Sequence, residues 1–217
     1  MKHTNYIRIV LLAFVTTGVL LLTACQKQAE LTAPASQTQD IAKQPEDLPA
    51  AYQIQQSEKL TIPAAVELPA NPNGNSRVAT YYATGIQRYE ARVIPGTDPV
   101  MYQWVFVGPL AVLFDVTNKV VGIHGAGPVW QLYGDVDKIY GQHFTPARTA
   151  PSPDPSSIDW LLLMPKVGTQ PTGIFEDVDY IQRIATTGGK APVLPPTSAT
   201  DAVNVDYTAV YRFSKSN

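Results

Sequence analysis

The last stretch of the chain, VNVDYTAVYRF, alternates. Val203, Val205, Tyr207, Ala209, Tyr211 and Phe213 fall on one side of an extended backbone. Asn204, Asp206, Thr208 and Arg212 fall on the other, with Val210 the exception. Successive strand side chains point to opposite faces, so this pattern predicts a half-buried antiparallel strand. Shorter runs rich in β-branched and aromatic residues predict further strands at 102–107, 110–115, 119–124, 129–133, 158–164 and 179–187. Residues 78–93 read as one long strand or two, with Gly85 as a bulge. DVTNKVV reads as a hairpin, Asn118 taking its left-handed position. FEDVDYIQRIAT also fits a helix through Phe175, Val178, Ile181 and Ile184, an alternative to the strand. Trp104 and Trp160, central in their strands, are expected in the core, and Trp130, beside a Gly-Pro turn, at a rim.

Nineteen prolines and frequent glycine turns leave little room for long helices. The expected fold is mainly β: an antiparallel β-sandwich or flattened β-barrel with long Pro/Gly-rich loops and little helix.

The amino end follows other rules. Lys2 and Arg8 precede an uncharged apolar run, Ile9–Leu22, too short to span a bilayer comfortably. LLTAC (residues 21–25) then resembles the bacterial lipobox, in which the chain is cut before the cysteine and the thiol is acylated. Cys25 is the only cysteine, which excludes an intramolecular disulfide. Stable anchoring requires more than one acyl chain. Gln26, by resemblance to enterobacterial lipoproteins, favours the outer membrane. The expected organisation is a signal peptide at 1–24, a lipid-anchored flexible tether at 25–59 and one mainly-β domain at 60–217. The tether is rich in Gln, Ala and Pro and poor in groups that could offset its ordering entropy. A short helix around Ala50–Gln56 is compatible with its sequence.

Removing residues 1–24 takes away Lys2 and Arg8 and leaves 14 Lys and Arg against 18 Asp and Glu, a formal charge of −4. The signs are interspersed, which argues against a nucleic-acid or polybasic lipid surface.

Candidate chemistry gathers in VVGIHGAGPVWQLYGD, residues 120–135. Gly122, Gly125 and Gly127 run G-x-x-G-x-G and are followed by Pro128 rather than a helix, so this is no dinucleotide fingerprint. TTGGKAP lacks the P-loop spacing, and no G-x-S-x-G elbow exists. His124 could act with Asp115 or Asp135 as an acid–base pair. His124 and His143 with two of Asp115, Asp135 and Asp137 could hold a metal, but without diagnostic spacing, and neither metal nor cofactor is expected. The plainer reading is a histidine bonded within a turn, with Gly125 and Gly127 supplying positive φ.

In order along the chain, ATGIQRYE, WVFVGPLAVLFD, VVGIHGAGPVWQ, IDWLLL and YIQRIATTGGKAP resemble an uncharacterised secreted family, domain of unknown function 3455, over roughly residues 60–213. The resemblance implies export and no agreed activity. It aligns Gln87, His124, Trp130 and the run Trp160–Leu163 with the family pattern. Members often carry a large residue where this chain has Gly125, and many carry two cysteines that this chain lacks.

These observations lead to three expectations. One is a binding module on the periplasmic side of the outer membrane, held by Cys25. It would take a small molecule, a glycan or an envelope protein around Gln87, His124, Trp130 and Asp135. The second is a hydrolase or lyase using His124 with Asp115 or Asp135. The third is a passive structural lipoprotein.

Overall fold

The computed structural model describes residues 49–217. The expected signal peptide, the expected lipidation site Cys25 and the expected tether up to residue 48 lie outside the described residues. Eight strands form one closed antiparallel barrel in simple meander order: β1 (Asn75–Val93), β2 (Tyr102–Phe114), β3 (Val120–Gly125), β4 (Val129–Leu132), β5 (Lys138–Ala150), β6 (Trp160–Pro165), β7 (Tyr180–Gly188) and β8 (Ala202–Ser216). Pairing of β8 with β1 closes the sheet and leaves no open edge. Of the two expected β architectures, the barrel is realised.

Several local expectations change. Residues 102–107 and 110–115 belong to one strand. Gly108 and Pro109 stay extended, paired with Arg88 and Gln87, and the irregularity is an extra residue, Val107. Strand β3 reaches only as far as Leu110, so Pro109 lies where β2 has a single neighbour and its missing N–H is tolerated. Gly85 is no bulge: it pairs in register with Ala111 on one side and Tyr207 on the other. Its role is close approach, since a Cβ there would collide with Leu110 O. β5 is absent from the expected strands because Gly141 and Pro146 interrupt its alternation, and the sheet accommodates residues 144–147 as a register break. At 180–188 the strand prevails over the helix, preceded by a single 3-10 turn at Gly173–Phe175. The hairpin is as expected, with Asn118 at φ +66° and Asp115 N–H donating to Lys119 O.

The barrel is packed on both sides of its wall. Inside, Tyr81, Trp130, Phe175, Ile181, Tyr211 and Phe213 form the main core. Outside, Tyr82, Trp160, Leu162, Ile184 and Val210 form a second core beneath an amino-terminal strap. The strap is helix α1 (Ala50–Ser57) followed by a 3-10 turn at Ala64–Val66, and it buries Ala50, Ile54 and Val66. Residues 50–57, expected within the tether, instead form a helix packed on the barrel wall. The sparse apolar residues of this segment are spaced to meet a matching apolar stripe on the outer wall. This also explains Val210, which faces outward under the strap.

Polar bonds fix the strap. Asn118 Oδ1 accepts from Ala51 N–H at the start of α1. Arg148 donates to Ala65 O and Glu67 O at 3.1 and 2.7 Å, and buried Gln182 donates to Val66 O at 2.8 Å. Buried Arg212 meets Glu58 at 3.1 Å.

Candidate functional site

Strand register decides what reaches the barrel interior. In the β3–β4 hairpin, His124 pairs directly with Trp130 across a three-residue loop in which Gly127 takes φ +132°. Directly opposed residues share a face, and both rings point inward and stack, 4.5 Å between centroids and 13° from parallel. Tyr211 of β8 closes on the pair, 4.8 Å from His124 and 5.2 Å from Trp130. Trp130 is therefore fully buried rather than at a rim. Trp104, expected inside, is only half-buried on the wall, its indole N–H donating to Leu194 O. The turn beside Trp130 is exposed, but the residue itself obeys the inward alternation of β4.

One end of the barrel is filled by Tyr81, Phe175 and Phe213. Toward the other end a cavity of about 280 Å³ opens, and Gln87, His124, Trp130, His143, Arg183 and Tyr211 contribute to its wall. Leu161, Leu163, Pro109 and Pro128 supply apolar surface, and exposed Phe106 and Val107 stand at its mouth. An adjoining depression of about 370 Å³ shares Gln87, Phe106, His143, Leu161 and Arg183 and also touches Asp159 and Lys190.

The polar groups of this cavity are unevenly satisfied. His124 Nδ1 lies 2.9 Å from Val129 O. A carbonyl only accepts, so Nδ1 carries the proton and Nε2 is an acceptor in the neutral ring. Burial drives the His124 pKa down to about 3; the Val129 bond opposes this and the Arg183 charge adds to it. Buried Gln87 Nε2, Trp130 Nε1 and the Tyr211 hydroxyl have no hydrogen-bond partner. Tyr207, beside Gln87 and also buried, adds a fourth unpartnered group, its hydroxyl. Burial raises the pKa of both tyrosines, so they stay protonated. Tyr207 and Tyr211 hydroxyls approach one another, and Tyr211 approaches Arg183, without reaching hydrogen-bonding geometry. The Arg183 Nε and Nη2 both donate to the single oxygen Asp159 O, at 3.1 and 2.7 Å.

Three of the four expected ligand-contact residues, Gln87, His124 and Trp130, thus converge on one cavity. Asp135 does not. It lies exposed in the β4–β5 turn at φ +60°, accepting from Gln131 Nε2 at 2.7 Å. Asp115 is occupied in its hairpin by Thr117 and Lys119, which hold its carboxyl below the usual range. The pairing of His124 with Asp115 or Asp135 is therefore not formed. Asp137 accepts from Ile174 N–H and orders the 3-10 turn. Among the described residues no three His, Cys, Asp or Glu side chains gather as metal ligands. Gly125 is extended and not at positive φ, and a Cβ there would meet only Val129 at an ordinary 3.6 Å.

Arg183 and Tyr211 are cavity residues that were not singled out from the sequence. Arg183 pairs with Leu161 on one side and Tyr211 on the other. The readable signal was a charge two residues after Ile181, on the core-facing alternation of β7.

The pattern running through these strands matches the family described as "Protein of unknown function (DUF3455)" over residues 72–215. The chain belongs to this family. The match starts after α1 and the 3-10 turn of the strap, so the DUF3455 region is the barrel itself. No curated protein matches the chain, and no solved structure does. In this DUF3455 member Gln87, His124 and Trp130 share the cavity, whereas the run of residues 160–163 serves both faces of the wall. Trp160 and Leu162 lie under the strap, and Leu161 and Leu163 face inward.

Proposed function

We propose that the chain is a cell-envelope lipoprotein whose barrel binds a small molecule in its interior. The observation that carries this reading is a cavity lined by Gln87, Trp130 and Tyr211, residues whose buried Nε2, Nε1 and Oη have no hydrogen-bond partner. Leaving a buried polar group unpaired costs about 1–3 kcal/mol. A ligand that accepts from these groups recovers that cost on binding. Eight-stranded barrels are just wide enough to fill with side chains or to hold one small ligand. The volume sits near the lower edge of ordinary ligand sites, about 300–1,000 Å³, which favours a small ligand over a glycan chain. Burial of Trp130 points the same way, because it leaves no exposed indole platform there for a sugar to stack upon.

The test is a screen of small fragments by thermal shift on the full chain, repeated on Leu161→Trp, which fills the cavity from its apolar side. Fragments that raise the Tm of the wild type and not of Leu161→Trp are expected. Fragments that act equally on both, or no active fragment at millimolar concentration, would contradict the reading.

The envelope placement rests on Lys2, Arg8, the run Ile9–Leu22 and the LLTAC sequence. An outer-membrane position facing the periplasm is proposed from Gln26. Intact mass of the chain made in a Gram-negative host is expected to show loss of residues 1–24 and addition of acyl chains at Cys25. Cys25→Ala is expected to abolish both changes. An unacylated mature chain would overturn the anchor.

A further inference from the structure

The geometry points to a small monocarboxylate with an apolar body as the ligand of the barrel cavity, its carboxylate held by Arg183 beside Gln87 and Tyr211. This rests on the reading of the cavity as a ligand site and adds its chemical class.

The first ground is charge. Arg183 is half-buried on the inner wall, and its guanidinium meets no carboxylate among the described residues; two of its donors share one carbonyl oxygen. A guanidinium presents five N–H donors in a planar fork that fits a carboxylate with two parallel bonds. The cavity wall contains no Asp or Glu. Asp159 is exposed in the adjoining outer depression and offers Arg183 its main-chain oxygen. A cation at the edge of a low-dielectric cavity, with no internal counter-charge, favours an anionic guest.

The second ground is the sign of the remaining groups. Gln87 Nε2, Trp130 Nε1 and the Tyr211 hydroxyl are all donors without an acceptor, and all are at least nine-tenths buried. Register places Tyr211 directly opposite Arg183. These unpartnered buried groups can all donate, as a carboxylate guest requires.

The third ground limits the guest's size and charge. There is one guanidinium in the cavity, which suits a single negative charge better than a phosphate dianion. Leu161, Leu163, Pro109 and Pro128 leave the rest of the wall apolar. About 280 Å³ admits a compact acid rather than a long acyl chain.

The test uses the full chain at pH 7 with benzoate, cinnamate and hexanoate, each against its primary amide, by calorimetric titration. At least one acid is expected to bind ten-fold or more tightly than its amide. Arg183→Gln is expected to weaken that acid at least ten-fold and leave the amide unchanged. Arg183→Lys, which keeps the charge and loses the fork, is expected to retain part of the preference. Gln87→Leu, which removes one unpartnered donor and leaves Arg183 in place, is expected to weaken the acid as well. Amides binding as well as acids, or Arg183→Gln weakening both alike, would overturn the carboxylate class. If the acids fail while neutral fragments bind the wild type and not Leu161→Trp, the class fails and the cavity reading stands. If no probe of either kind binds, both fail.

Discussion

His124 is held between two aromatic rings with one nitrogen committed to Val129 O, and that surrounding decides its charge. Its pKa falls from an ordinary 6.5 to about 3 in the folded chain. Unfolded chains bind the proton first as pH drops, so stability contributed by this residue is full above about pH 6.5. It is lost between there and pH 3, at about 1.4 kcal/mol per pH unit. Urea midpoints between pH 7.5 and 4.5 are expected to fall more steeply for wild type than for His124→Gln; parallel curves would show that the ring is not buried neutral. Two glycines give a sharper contrast. Gly125→Ala has room and is expected to be neutral or to stabilise by about 0.5 kcal/mol, because glycine weakens strands. Gly85→Ala would press a methyl group into Leu110 O, with an expected loss of about 2 kcal/mol or more. Thermal melts of the two variants check the pair. His124 was conspicuous in the sequence, yet its partner was legible only through register. Six residues across a three-residue loop put Trp130 opposite it, and a turn-based reading sent Trp130 to the rim instead.

The strap shows how an element can be hidden by composition. Residues 50–59 look like spacer because they are mostly Gln, Ala and Ser, and only Ile54 and its neighbours mark the buried side. The complementary mark was on β8, where Val210 broke the alternation. Isolated, α1 is too short to persist in water, so its helicity depends on the wall beneath it. Ile54→Ala is expected to cost about 2–3 kcal/mol, since truncating a buried isoleucine removes both transfer energy and packing. Glu58→Ala strips buried Arg212 of its counter-charge and leaves Arg77 close to it. Glu58 is half-exposed, so the loss is expected to be about 1 kcal/mol and to shrink as salt rises. Denaturant titrations at two salt concentrations separate the two effects. β5 was missed for the opposite reason: its glycine and proline read as breakers, while the closed sheet pairs residues 138–140 with β4 and residues 141–143 with β6.

At the scale of the whole molecule, alternation and turn chemistry were enough to read a mainly β chain, and closure of the sheet was the part they left open. Whether β8 returns to β1 depends on pairing between the two ends of the domain, which no local pattern encodes. Closure is also what makes the site. Gln87, His124, Trp130 and Arg183 come from β1, β3, β4 and β7, and they meet only because the sheet bends into a ring. Asp135 was drawn into the candidate set by sequence proximity, but the ring turns its loop outward. The most direct measurement follows the side-chain N–H signals of the full, isotope-labelled chain in a two-dimensional spectrum while the strongest-binding fragment is titrated. If the interior of the barrel is the ligand site, the Trp130 indole and Gln87 amide signals move together and saturate at one affinity, while the backbone of residues 133–136 stays still. Movement confined to that outer turn, with the Trp130 and Gln87 signals unchanged, would contradict it.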